Sequence, residues 1–153
     1  MELLINLLER KNLCFRSFHA ICGDFLDEIA KGDSTNLERF QARRQGLLNV
    51  LEQLEFEITH YLASFDAEPG LLDALMTGEV RTKVNMLFRE KDALVKEILD
   101  LDLQILQHID RIKNDTIQKL QSVQTGRRTL GAYRSPIEKV ESAEGAKIVD
   151  HKA

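Results

Sequence analysis

The chain holds 153 residues, 43% of them hydrophobic and 30% charged, which fits one domain with a core of modest size and excludes a disordered tail. Eight glycines, two prolines and no tryptophan are too few turn residues for a many-stranded sandwich or barrel, so composition points to helices. With 21 basic against 25 acidic residues, a net charge of −4 and a pI near 5.6, the bias is too small to declare a nucleic-acid binder or an acidic solvating tail.

The opening segment, Met1 to Arg10, lacks a basic leading region, its apolar run is broken by Asn6, and no small-residue cleavage site follows. No secretory signal is therefore expected. No apolar run approaches the roughly 20 residues of a membrane span. The expectation is a cytoplasmic protein without membrane insertion.

Leu4, Leu8, Phe15, Phe18, Cys22, Phe25 and Ile29 recur in alternating four- and three-residue steps, with Lys11 the single polar interruption. That spacing predicts one helix of roughly 30 residues. Cys14 and Cys22 on it would stand about 12 Å apart at the helical rise, too far for a disulfide. They are expected as buried, reduced thiols. Gly32 and Asp33 end the helix, and Thr35 with Glu38 three residues later predicts a capping box for the next. In that second helix Leu37, Phe40, Leu47, Leu51, Leu54, Ile58, Tyr61 and Phe65 repeat the steps, and Arg44 alone breaks the seam. Two such stripes joined by a short turn bury themselves by folding into an antiparallel hairpin.

Pro69 and Gly70 make the clearest break, because proline keeps its predecessor out of a helix and glycine loosens the backbone. A short helical turn through Leu71, Leu72, Leu75 and Met76 follows before Gly78. From Glu79 the pattern returns as Val80, Val84, Leu87, Leu94, Ile98, Leu101, Ile105, Ile109 and Ile112, and continues more weakly through Ile117, Leu120, Val123 and Leu130. This predicts a helix of about 50 residues, some 75 Å long, against about 45 Å for each hairpin arm. The long helix must outrun its partners, bend, or find another surface for its far end. Pro136 is expected to stop it, leaving residues 135–153 as a flexible tail beside a helical domain of residues 1–134. The fold class is all-α: an antiparallel helical hairpin packed against one long third helix, an elongated bundle of three to four helices.

Catalytic constellations are not found. Glu57 and His60 have the Glu-x-x-His spacing of di-iron bundles, but no second copy occurs. His19, His108 and His151 stand on different elements without a ligand partner at metal spacing, and His108, close to the long seam, reads as a polar interruption that sets register. No phosphate loop or nucleophile elbow is present. Neither an enzyme nor a cofactor or metal is therefore expected. Residues 126–134 carry Arg127, Arg128 and Arg134 with no acid. The cluster fits favourable charge at a helix C-terminus or a protein-docking role, while three arginines on a net-negative chain are a weak case for nucleic acid. An overlong amphipathic helix offers an apolar stripe to partner helices, or to a second copy, so a homodimer stays open.

Three segments carry a further likeness. They are Glu38-Arg39-Phe40-Gln41-Ala42-Arg43-Arg44-Gln45-Gly46-Leu47-Leu48 on the second helix, Asp100-Leu101-Asp102 with Ile105 and Ile109 on the third, and Gly126-Arg127-Arg128-Thr129-Leu130-Gly131-Ala132-Tyr133 at its end. With the hairpin and long last helix, residues 1–134 resemble the flagellar type III export chaperones of the FlgN/FliT type. The Asn-x-x-Asn-Gly segment often seen in the FlgN branch is missing, which leans the likeness toward FliT. The resemblance implies a cytosolic, non-enzymatic chaperone. Such a protein binds the helical C-terminal segment of a late flagellar substrate, a filament-cap or hook-filament junction protein, prevents premature assembly and delivers it to the export gate. By position it implies Leu120, Val123 and Leu130 as substrate contacts and Tyr133 as the gate-docking tyrosine, with Arg127 and Arg128 beside it. The tail, through Ile137, Val140 and the Ile148-Val149 pair, would lie over the same surface when no substrate is present. The alternative is a coiled-coil scaffold or adaptor that self-associates and takes no client.

Overall fold

A computed structural model describes the backbone of residues 1–32 and 36–149 and the side chains of residues 1–32 and 36–133. The described residues form helices only: α1 (Glu2–Ala30), α2 (Leu37–Ala63), α3 (Leu71–Leu75) and α4 (Gly78–Val149). They fall into two units, Met1–His108 and Ile109–Ala153.

The joints follow the sequence closely. α1 ends through Lys31, and Gly32 then takes φ 81, the left-handed turn that glycine enters without a Cβ clash. The capping box predicted from Thr35 and Glu38 falls partly outside the described residues. Thr35 lies outside the described residues, and the residue that caps α2 is Asn36, without a side-chain capping bond. Counting from Asn36, the third helical residue is Arg39 rather than Glu38, so no carboxylate stands where a capping box needs one. At the second joint the Leu71 N–H donates to the Glu68 carbonyl at 3.1 Å, with Pro69 and Gly70 between them and Gly70 at φ 88. Proline second and left-handed glycine third are the requirements of a type II turn.

In Met1–His108 the order of contacts sets the topology. Lys11 pairs with Glu55, Cys14 donates to the Leu47 carbonyl, and Phe25 stacks on Phe40. Numbers rise along α1 as they fall along α2, so the pair is antiparallel. Glu9 meets Lys83, Asn12 meets Glu90, His19 meets Glu97 and Cys22 meets Asp102, so α4 runs parallel to α1. The hairpin with a long helix against it is thus the arrangement that the stripes predict.

One end of the core gathers Leu4, Leu7 and Leu8 from α1, Leu54 and Ile58 from α2, and Val84 from α4. Leu54, 2% exposed, contributes about 1.5–3 kcal/mol by leaving water. Toward the other end Phe18, Ile21, Cys22, Phe25, Phe40, Ile98 and Ile105 are buried, and the Phe25 and Phe40 rings lie 4.1 Å apart and nearly parallel. α1 buries more than its predicted seam, adding Leu7, Cys14 and Ile21. It touches two helices, and two neighbours cover a wider face than one.

α4 corrects the expected stop at Pro136. Its backbone is helical to Val149, 72 residues from Gly78. An interior proline removes one backbone hydrogen bond and crowds the preceding turn, and here the helix is not ended by it. The tail expected over residues 135–153 falls on residues whose side chains, and for 150–153 also the backbone, lie outside the described set.

Candidate functional site

The six partner residues suggested by the sequence all fall on the α4 segment of the second unit, Ile109–Ala153. Helical geometry brings Leu120 and Val123 to one face, and Leu130, seven residues past Val123, returns to it after two turns. Water reaches all three: Leu120 is 58% exposed, Val123 53% and Leu130 67%. Tyr133, 72% exposed, lies three residues beyond Leu130, and Arg127 and Arg128 are exposed between Val123 and Leu130. Ile112 and Ile117 extend the exposed apolar set toward the start of the unit. Thr116, Ser122, Thr125 and Thr129 each return their hydroxyl to the carbonyl four residues back, so these small polar groups are spent on their own helix.

The first unit holds the polar geometry that sequence reasoning missed. Arg44, the expected interruption of the α2 seam, donates two hydrogen bonds to the Asp102 carboxylate at 2.8 and 2.6 Å. Its guanidinium also lies 5.0 Å from the Phe18 ring centroid and 5.9 Å from that of Phe40. A planar, forked cation suits a carboxylate and two aromatic faces at once. The Cys22 thiol points at the same carboxylate, 3.8 Å away. Burial first, then the Asp102 charge, pushes that thiol up to about 11, and burial likewise raises Cys14. Both cysteines are free and buried, and thiols held protonated in this way are poor nucleophiles.

Among the described residues the polar one inside the core is Asn12, 3% exposed, next to Lys11. Its side-chain amide donates to the Leu87 carbonyl at 2.9 Å and to Glu90 at 3.0 Å, while Arg16 pairs with the other oxygen of Glu90. Those two donors hold the Glu90 carboxyl below the usual glutamate range, Arg16 contributing most. Lys11 instead reaches across to Glu55. A polar side chain beside a seam and a polar side chain within one look alike in a single sequence.

The Glu57 and His60 pair has no metal-site geometry. Glu57 accepts from Gln53 at 3.0 Å and lies 3.9 Å from Arg10, and His60 stacks on Phe56. Among the described residues no group of three or more His, Cys, Asp or Glu side chains could hold a metal ion, and no helix is long and apolar enough to cross a membrane. His108 is half-buried at the last position of the first unit.

A second set of exposed apolar residues, Leu99, Leu103 and Leu106, flanks the buried Ile98 and Ile105 on α4. Comparison of the chain with protein-family models, with curated proteins and with solved structures finds no match.

Proposed function

We propose that the protein is a cytoplasmic flagellar export chaperone that takes the helical C-terminal segment of a late flagellar substrate onto the Leu120, Val123 and Leu130 stripe. The observation that carries the reading is the exposure of these side chains on an ordered helix. Large apolar groups at helical spacing, left in water and next to a basic cluster, are suited to an amphipathic helix from another protein. Burying that helix keeps an assembly-prone segment from premature contacts, and no nucleotide or catalysis is needed. Tyr133 then serves the export gate, at the end of the same stripe.

Sedimentation of the protein with and without a purified filament-cap protein tests this. A stable heterocomplex that Leu120→Asp with Val123→Asp disrupts supports the chaperone. A homo-oligomer indifferent to the cap protein and to salt favours the self-associating scaffold instead.

A further inference from the structure

We propose that the helix received by this stripe is acidic along its flanks. The inference rests on the partner-binding reading of the same surface and is drawn from the charges that border it. The stripe comprises half-buried Ile109 and exposed Ile112, Leu120, Val123 and Leu130. Lys113 lies four residues after Ile109 and seven before Leu120. Lys119 lies seven after Ile112 and four before Val123. Arg127 lies seven after Leu120 and three before Leu130. At 3.6 residues per turn, steps of three, four and seven return to the same side of a helix: exposed Lys113 and Lys119 fall toward opposite margins of the apolar stripe, and exposed Arg127, five full turns after Ile109, falls within it. Two acids also border it, Asp115 three residues after Ile112 and Asp110 seven before the exposed Ile117, so the basic excess at the stripe is modest.

A helix laid on the stripe brings its own flanks against Lys113 and Lys119 and crosses over Arg127. Acidic flanks gain favourable pairs, whereas basic flanks meet like charge. A second copy presenting the same stripe in parallel register would bring its own cations to that margin, which disfavours it as the occupant. The long basic side chains also lay their methylenes over an apolar partner while their charged ends stay in water. An anionic membrane fits less well. Membrane-surface helices use a broad face rich in large apolar and aromatic groups, and this stripe is narrow, contains Thr116, and has its one aromatic, Tyr133, at its end. From Ile109 to Leu130 the stripe spans about 30 Å, which a partner helix of about 20 residues covers.

The test uses the full chain and two labelled synthetic peptides of one heptad design, identical in their leucine and isoleucine seam, with flanks of glutamate in one and lysine in the other. Fluorescence anisotropy should show the glutamate peptide binding about tenfold more tightly, with the gap closing at high salt. Charge reversal by Lys113→Glu, Lys119→Glu and Arg127→Glu together should invert the preference, and circular dichroism checks that the exposed helix is retained. Equal affinity for both peptides, preference for the lysine peptide, tighter binding to phosphatidylserine vesicles than to the glutamate peptide, or a homodimer that excludes both peptides would each overturn the proposal. Capture of the glutamate peptide without capture of either a filament-cap or a hook-filament junction protein upholds it and refutes the flagellar reading. Capture of the cap protein with no discrimination between peptides does the reverse.

Discussion

Arg44 on α2 and Asp102 on α4, 58 positions apart, are joined by two hydrogen bonds on the edge of an aromatic cluster. The pair is partly covered, with 31% of the arginine side chain and 19% of the aspartate exposed. An exposed pair contributes under about 1 kcal/mol, and breaking a fully buried one costs about 3–5 kcal/mol. Asp102→Ala should therefore destabilise the protein by about 1–3 kcal/mol in urea unfolding, after allowance for solvent screening. The double variant Arg44→Met with Asp102→Leu should be more stable than Asp102→Ala, because it leaves no charge stranded. A double variant less stable than Asp102→Ala would show that the ion pair itself is strongly net favourable.

Asn12 should be sensitive in a different way. Truncation by Asn12→Ala removes two donors and leaves the Leu87 carbonyl and one side of Glu90 without them. The expected loss is about 1–3 kcal/mol, measurable as a lower denaturant midpoint. Lys11→Ala, on the adjacent position, breaks one pair with an exposed glutamate and should cost less.

Glu90 makes folding sensitive to acid. Its folded pKa is lowered, chiefly by Arg16 and then by Asn12, so its contribution is fully present above the unfolded glutamate value, about 4.3. It is lost as pH falls through the folded value. Glu90→Gln should be less stable than the parent at neutral pH, and the difference should shrink as pH drops below about 4. Chemical denaturation at several pH values checks this, and a difference constant down to strongly acidic pH would refute it.

Cys22 acts at the opposite end of the scale. Its folded pKa is raised to about 11, so the contribution is present below the unfolded thiol value, about 8.5, and declines as pH rises toward 11. Cys22→Ala should flatten stability across that interval while introducing a small cavity. Aromatic disulfide reagents should label Cys22 at mildly alkaline pH only as fast as the first unit opens, and denaturant should accelerate the labelling. Rapid labelling of the folded chain would contradict its burial.

Tyr133→Ala separates docking from folding. With Tyr133 72% exposed, the substitution should leave the thermal midpoint within the scatter of a surface change, about 0.5 kcal/mol. Under the proposed function it should weaken binding to the export gate while client binding persists, as read by parallel pull-down and anisotropy assays.

The positions of the helices, the glycine turn at Gly32, the break at Pro69 and Gly70, and most of the core from Leu4 to Ile105 follow from the chain alone. Apolar periodicity and the φ limits of proline and glycine are local properties, carried by neighbours in sequence. The candidate stripe of Leu120, Val123 and Leu130 is legible for the same reason. Its exposure is not legible in that period and is a fact of the structure. Only the assembled helices decide that Asn12 lies inside and Lys11 reaches out, that Arg44 answers Asp102, and that Cys22 turns toward that carboxylate. Each of these depends on the register between segments 44 to 80 residues apart. A one-dimensional period places a residue on a face but does not name the residue opposite it. The persistence of α4 beyond Pro136 is a separate case: proline weakens a helix by the loss of one bond, and here the helix runs on past it.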